Sequence, residues 1–458
     1  MSKTRLLLYG MLGLLYANPG AARADGVQRE PLIIGSNFDI GQINADIYDK
    51  GENDLQMIQR TSVSMIQKVI IEDNLMLSVG LRGMFWYHYP ETNQSHTRLT
   101  KFISTVLEAQ GVELLGSASA PWGKLQFGLF PFKYNPDAKN LGEYLLRSGA
   151  YPNYITTGGW SIINSAEFLT EGFNFEAKTG PLKHNLLMTI ERGIEPINDF
   201  SPAYLVSYAP NKVFDAGLGV EFAHLIPVKP SSTTPNGPTF KGDPLNRYKN
   251  DTLVFDTLTT GYSNFTFQST KLMARTSFNP QALIQSSLLG PEDLKLYAEA
   301  SVLGVKDYPY YYEGIIHRIP IMIGFNIPTF KALDMLSLEV EYQKTQFSEN
   351  VAISYENGLP IPQVRTNAIG SYQDAINAFD KGANSKQDLK WSLYAKKSVI
   401  PGLTLYAQAA SDHMRGIQYT KVFQSDLVTK SWSYDKHAVW YFPFKGDWYF
   451  LFRVELGI

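Results

Sequence analysis

Residues that could carry out catalysis are few and scattered in this chain of 458 residues. Seven histidines occur, but no two of them have the H-x-x-x-H or H-E-x-x-H spacing that brings two imidazoles to one zinc ion. Cysteine is absent, and the G-x-S-x-G motif of a nucleophilic serine does not occur. The sequence therefore predicts no enzyme, no metal site and no cofactor.

Three weaker signals leave alternatives open. His88 or His184 could pair with Ser and Asn side chains in a lipid-hydrolysing site, although lone histidines are the commoner explanation. The acidic stretch 49–54 (DKGEND) could attract calcium, but it lacks EF-hand spacing and is better explained as a solvated loop. The Pro/Ser/Thr-rich stretch 227–264 could contact glycans or neighbouring molecules, and its composition predicts an exposed loop.

The most distinctive polar segment is 123–154 (GKLQFGLFPFKYNPDAKNLGEYLLRSGAYPNY). A strand-like start ends at Pro131, and charged residues are then mixed with apolar ones. Leu141, Tyr144 and Leu145 stand at i, i+3 and i+4, which predicts a short amphipathic helix. The charged residues of this segment are Lys133, Asp137, Lys139, Glu143 and Arg147.

Other charged residues alternate with aliphatic ones along extended segments. In VFDAGLGVEF (213–222), LKLYAEASV (294–302) and LSLEVEYQ (336–343), aliphatic side chains take one face and small or charged ones take the other. Such a period of two is typical of β-strands. The charges that this alternation places on the inner face are Arg82, Asp215, Glu221, Lys271, Arg275, Glu299, Glu339, Glu341, Arg453 and Glu455.

The lengths of the segments and of their connections indicate how the strands are arranged. Each segment runs about nine to twelve residues, which suits a tilted strand crossing a membrane better than the shorter strands of soluble sandwiches. Short connections near 72–74, 119–123, 178–183, 209–212, 328–335 and 398–402 alternate with long polar ones near 90–101, 132–171, 227–264, 349–387 and 415–446. Short periplasmic turns and long outer loops alternate in this way in bacterial barrels.

These features predict an all-β fold: a single closed transmembrane antiparallel up-and-down β-barrel of about 16 strands (14–18). Stacked soluble sandwiches are the alternative. Three observations favour the barrel: many polar-face positions are Gly, Ser or Ala, aromatic residues gather at strand ends, and only closure satisfies an exposed sheet in hydrocarbon. The first strand is expected near residues 32–46, where it would pair with the last one.

The ends of the chain carry export and assembly signals. Residues 1–24 read as a signal peptide, with a basic start, a short apolar run and the Ala22-x-Ala24 cleavage pattern; residues 25–458 then form the barrel domain. The stretch WYFLFRVELGI (448–458) resembles the terminal strand of bacterial outer-membrane barrels. Its apolar residues alternate at Phe450, Phe452, Val454, Leu456 and Ile458, and Ile458 departs from the usual terminal aromatic residue.

On these patterns the mature chain resembles porin-like outer-membrane barrels of Gram-negative bacteria. This resemblance implies a localisation in the bacterial outer membrane and contact with its lipid and lipopolysaccharide. Periplasmic chaperones and the barrel-assembly machinery would be partners during biogenesis, and a homotrimer would be one option for its assembly. The formal net charge of −2 and the scattered Lys and Arg exclude a nucleic-acid partner.

The function expected from the resemblance is passive diffusion of small hydrophilic solutes through the barrel. Segment 132–154 corresponds in placement to the inward-folded loop that narrows porins, and its five charges would then line the constriction. The alternative is an ordinary surface loop. Because inner-face charges of both signs occur, they predict weak ion selectivity. A second function remains open: a non-conducting surface protein whose long loops bind a ligand or partner such as polysaccharide.

Overall fold

The computed structural model describes residues 27–45, 54–71, 74–88, 106–148, 169–191, 198–226, 247–249, 252–254, 269–305, 315–344, 389–411, 423–425, 432–434 and 448–457. The predicted signal peptide, residues 49–53 of the acidic stretch and Ile458 lie outside these residues. So do all or most of the predicted long loops 90–101, 227–264, 349–387 and 415–446, and residues 149–168 of the predicted loop 132–171.

Sixteen strands form the wall of the molecule, and their bounds follow the alternating segments of the sequence. They are β1 Ile33–Ala45, β2 Asp54–Ile71, β3 Leu75–His88, β4 Val106–Ala120, β5 Gly123–Pro131, β6 Leu169–Thr179, β7 Leu182–Ile190, β8 Phe200–Tyr208, β9 Phe214–Ala223, β10 Ser269–Phe278, β11 Leu296–Val302, β12 Ile321–Asn326, β13 Met335–Tyr342, β14 Leu389–Ile400, β15 Leu403–Ala410 and β16 Trp448–Gly457.

The sixteen strands form one closed ring. Each strand pairs antiparallel with its neighbours in the chain, and β16 pairs with β1 from Gly35 opposite Gly457 to Asn44 opposite Trp448. The predicted closed barrel, its strand number and the pairing of the first strand with the last are confirmed. A lead-in strand, Val27–Arg29, pairs with the end of β2 beside the ring.

Short turns lie at one end of the barrel, as predicted. Only Pro121 and Trp122 separate β4 from β5, and Gly180 and Pro181 separate β6 from β7. The start of β1 and the end of β16 lie at this end, because Gly35 is paired with Gly457 and the Gly457 amide donates to the Gly402 carbonyl in the β14–β15 turn. The longer link between β10 and β11 contains a one-turn helix, Gln281–Ile284. Among the described residues, no helix is long and apolar enough to cross a membrane.

The two faces of the wall differ in chemistry because successive side chains alternate between them. In β16, Phe452 points outward and is 50% exposed, whereas the next residue, Arg453, points inward and is 2% exposed. The same alternation exposes Leu218, Leu272 and Ile323 on the outside of other strands. A continuous apolar outer face of this kind is the surface that hydrocarbon chains would contact.

Two glycines with positive φ face each other across β5 and β6. Gly128 and Gly172 are direct cross-strand partners and have φ angles of 109° and 137°. A Cβ atom at Gly172 would stand 2.1 Å from the Met188 carbonyl oxygen. Glycine is therefore required here both by the backbone conformation and by the space available.

Candidate functional site: a loop held inside the barrel

The segment that follows β5, residues 132–148, bonds to buried side chains on distant strands of the ring. It leaves the fifth strand of the ring and bonds to the thirteenth, eight places around a ring of sixteen and thus the opposite wall. There the Glu339 carboxylate of β13 accepts the backbone amides of Lys139, Asn140 and Leu141 at 2.5, 2.8 and 2.9 Å. We call residues 132–148 the inner loop.

A second wall carboxylate holds the two ends of the inner loop together. Glu299 of β11 accepts the Tyr134 hydroxyl and the Asn135 side-chain amide at 2.7 Å each. It also accepts the backbone amides of Glu143 and Tyr144 at 3.0 Å each. Hydrogen bonds to an ionised acceptor are about twice as strong as neutral ones, so this one side chain fixes residues that are eight to ten positions apart.

Glu143 belongs to the inner loop and bonds to the backbone of the same loop. Its carboxylate accepts the backbone amides of Tyr134 and Asn135 at 3.3 and 2.5 Å, and the residue is 1% exposed. Burial, together with the nearby Glu299 charge, raises the pKa of Glu143 to about 7, although Arg147 and Lys133 oppose this shift. The Glu143 carboxylate thus bonds to the backbone of its own loop.

The last part of the inner loop is fixed by groups from two strands, one of which is paired with a third. The Lys271 ammonium of β10 donates to the carbonyl oxygens of Leu145 and Ser148 at 2.8 and 2.9 Å and pairs with Glu221 of β9 at 3.0 Å. The Tyr144 hydroxyl donates to Glu341 of β13 at 3.0 Å. The helix here, Tyr144–Arg147, is a single turn.

The predicted amphipathic helix is therefore shorter than expected. Leu141 lies before it, because the αL backbone at Glu143, with φ 62°, keeps the helix from extending toward the N-terminus. Leu141 and Tyr144 pack instead against Tyr297 and Met322 of the wall. Leu145 packs in a second cluster with Leu187, Leu205 and Met273. Wall contacts, more than helical periodicity, decide the course of the loop.

The wall near the closure point carries a different set of charges. The Asp39 carboxylate of β1 accepts Arg60 of β2 at 2.7 Å and Arg453 of β16 at 2.6 and 3.0 Å. Arg82 of β3 is buried on the same inner face. Arg60 and Arg453 thus lie on the two strands next to β1, where the ring closes.

The structure describes all five residues of the constriction hypothesis. Asp137 pairs with Lys295 at 3.1 Å, which holds the pKa of Asp137 below its usual value despite the opposing effect of burial. Lys139 lies over the Tyr297 ring, 5.9 Å from its centre. The Lys133 ammonium donates to the Ala138 carbonyl oxygen, and Arg147 is partly buried. Glu143 bonds the loop backbone, as described above.

The inner-face charges proposed from the alternation lie on the lumen side of their strands. Those that contact one another are Glu221 with Lys271 and Asp215 with Arg275, whose closest atoms are 2.9 Å apart in the second pair. Glu299, Glu339 and Glu341 instead bond to the inner loop. Glu455 is partly buried on the same face of β16 as Arg453.

Sequence reasoning missed the residues that complete these contacts. Asn135 and Asn140 anchor the loop through their side chains, with Asn140 donating to Ser392 of β14 at 3.0 Å. Asp39 and Arg60 stand at inward positions of β1 and β2. The pattern of alternation could have indicated Asp39 and Arg60, since a charge facing hydrocarbon is disfavoured.

His184, one of the two histidines considered for a lipid-hydrolysing site, has no catalytic partners among the described contacts. His184 lies on the outer face of β7, where its Nδ1 is 2.7 Å from the Tyr204 hydroxyl and the two rings stack. The side chain of His88 lies outside the described residues. In the described part of the chain, no group of three or more His, Cys, Asp or Glu side chains could hold a metal ion.

Comparison with known proteins finds likeness of fold alone. No protein-family model and no curated protein matches the chain. A mutant of the Rhodopseudomonas blastica porin is similar in structure, with 7% identity, a TM-score of 0.43, and coverage of 94% of this chain and 100% of that one. The Salmonella typhi OmpF complex with daunomycin has 7% identity, a TM-score of 0.45, and coverage of 95% and 99%.

Proposed function

We propose that this protein is a porin-like channel of the bacterial outer membrane through which small hydrophilic solutes diffuse passively. The observation that carries the proposal is the closed ring of sixteen strands, apolar outside and charged inside. A ring of this size is wide enough to leave an aqueous path beside its side chains. Closure also satisfies every edge that would otherwise face lipid.

The inner loop is proposed to narrow that path. Glu299 and Glu339 position it, because their carboxylates bond its backbone amides. Besides Asp137 and Glu143, the charged side chains that the inner loop contributes to this region are Lys133, Lys139 and Arg147. The remainder of the predicted constriction, residues 149–154, lies outside the described residues.

The outer face and β16 suggest the partners of such a channel. Outer-membrane lipid and lipopolysaccharide would contact the exposed apolar residues, and the β16 strand would be read by the barrel-assembly machinery after delivery by periplasmic chaperones. A homotrimer is part of the same proposal. The residues that would present β16 for recognition are Phe450, Phe452, Val454, Leu456 and Ile458.

Planar-bilayer recording of the refolded barrel tests the channel. We expect stable current steps that grow in proportion to salt concentration. Replacing residues 135–147 by a short Gly-Ser linker should increase the step size, because the path beside the loop would widen. Resistance to unfolding in detergent, seen as a heat-dependent shift in gel mobility, shows that each protein tested is folded.

Two results would oppose the proposal. A folded barrel that passes no current would support the surface-binding alternative instead of a channel. Unchanged current steps in the linker variant would leave the channel standing but remove the inner loop as its constriction.

A further inference from the structure

A cavity of about 430 Å³ lies between the start of the inner loop and the inner faces of β7 to β10. It is bounded by the β6–β7 turn on one side and by Phe132 and Tyr134 on the other. Its volume is within the range of small-molecule sites. The charged residues that line it are Lys133, Lys178, Lys183, Arg275 and Asp215.

The charges around this cavity do not balance. Four cations and one carboxylate give the lining a net charge of 4 − 1 = +3. Asp215 is matched to Arg275, with two contacts of 2.9 and 3.3 Å. Outside the lining, Glu176 pairs with Lys183 at 2.9 Å, which lowers the local sum to +2. The cavity therefore has an excess of positive charge.

Two lysines of the lining face each other across the β6–β7 hairpin, an arrangement that is unfavourable in a sheet. Lys178 and Lys183 are direct cross-strand partners on either side of the two-residue turn. Like charges directly opposite each other destabilise a hairpin. A bound anion between them would offset that repulsion, and the uncharged donors Asn185 and Ser207 also line the space.

The nearby carboxylates are engaged by other groups. Glu143, which attracts Lys133, accepts backbone amides of Tyr134 and Asn135. Glu299 and Glu339 accept amides of the inner loop, and Glu221 is paired with Lys271. The Lys133 ammonium contacts an uncharged carbonyl oxygen. A solute that enters from the turn end therefore meets ammonium groups before it meets an available carboxylate.

We propose that this cavity binds small oxyanions, meaning solutes that carry carboxylate or phosphate groups, and that it gives the channel a preference for anions. This proposal rests on the proposed function for its transport consequence, but binding itself does not require conduction. The proposal differs from the weak ion selectivity that inner-face charges of both signs predict. The reason is that positive charges are concentrated around this cavity, whereas the nearby carboxylates bond to other groups. Ammonium groups bind phosphate as point charges, and a concave cationic surface raises the local concentration of anions.

The test reverses the two turn lysines together, Lys178→Glu and Lys183→Glu, in the full-length refolded protein. The lining then changes from +3 to −1, since two cations become two anions. Lys212→Glu is the matched control, because Lys212 is an exposed lysine in the β8–β9 turn at the same end and does not line the cavity. Both exchanges lie near turns and leave the inner-loop contacts in place.

Two readouts separate this proposal from the channel itself. Calorimetric titration with inorganic phosphate measures binding to the folded barrel whether or not it conducts. The reversal potential in a KCl gradient measures the chloride-to-potassium permeability ratio. We expect wild type to bind phosphate and to favour chloride, and the double variant to lose phosphate binding and lower the permeability ratio roughly threefold or more. The control should match wild type.

The possible failures are distinct. Folded protein without current but with lysine-dependent phosphate binding would overturn the channel and support the site. A conducting barrel that binds no phosphate, or whose reversal potential is the same in the double variant as in wild type, would overturn the site and leave the channel. Equal loss of phosphate binding in Lys212→Glu would also overturn it, since the effect would then be general surface charge.

Discussion

At the scale of single residues, the interior of this protein uses carboxylates as acceptors for backbone amides. Glu143, Glu299 and Glu339 each accept two or more donors from the inner loop. An irregular loop has no ladder to satisfy its amides, and an unsatisfied buried amide costs about 1–3 kcal/mol. These carboxylates supply the hydrogen-bond acceptors that the carbonyl groups of a helix or a neighbouring strand provide in regular structure.

Glu143 should make stability depend on pH. Its pKa is raised from 4.5 to about 7 in the folded protein, chiefly by burial, so the folded state retains a proton that the unfolded state releases. The resulting stabilisation is fully present below about pH 4.5 and is lost as the pH rises through about 7. Glu143→Gln should flatten the dependence of the thermal unfolding midpoint on pH over this window.

Glu176→Gln is the control for that experiment, since Glu176 lies in a half-exposed pair with Lys183. It should keep the pH dependence of wild type. An equally steep pH dependence in Glu143→Gln would show that other groups set it.

At the scale of elements, the wall dictates the course of the inner loop. Glu339→Gln keeps the shape of the side chain but removes the charge and turns one acceptor oxygen into a donor facing backbone amides. Loss of charge-assisted hydrogen bonds of this type costs about 1.5–3 kcal/mol each. We expect a lower unfolding midpoint and noisier current steps in bilayer recording.

Ser337→Ala is the matched change on the same strand and the same inner face. Ser337 bonds to the Tyr297 hydroxyl at 2.5 Å, and its side chain makes no described hydrogen bond to the inner loop. Current noise equal to that of Glu339→Gln would mean that loop anchoring is not what the glutamate provides.

Strand β6 also depends on a residue that has no side chain. Gly172→Ala places a methyl group against the Met188 carbonyl oxygen and forces φ 137° on a residue that disfavours it, which costs about 1–3 kcal/mol. We expect reduced yield of heat-resistant barrel on refolding. Gly83→Ala in β3 is the control, because nothing lies within 4 Å of its Cβ position; equal refolding of the two variants would contradict the steric explanation.

At the scale of the whole molecule, the apolar outer face should decide insertion into a membrane. Phe452→Lys places a charge on this face, which costs about 2–4 kcal/mol near the middle of a bilayer. We expect failure to refold into lipid vesicles, whereas Phe452→Leu should refold normally. Normal refolding of the lysine variant would mean that this face does not contact hydrocarbon.

The whole molecule also shows which features the sequence could predict and which it could not. Alternation within a strand is local, so it indicated sixteen strands, their short turns and the inward position of residues such as Glu299. The partners of Glu299 and Glu339 lie about 160 to 200 residues away in the chain, and local patterns contain no information on such pairs. The bonds of Glu143 to the backbone of Tyr134 and Asn135 likewise depend on how the loop folds, which residue spacing alone does not indicate.

Asp39 links residues that are 21 and 414 positions distant along the chain. The near contact, with Arg60, can form as soon as the first hairpin exists, but the far contact, with Arg453, has to wait until all the intervening chain is in place. Bringing such remote segments together is the slow, entropically costly part of folding. Asp39 therefore has both of its arginine partners only when the first and last strands have met and the ring is closed.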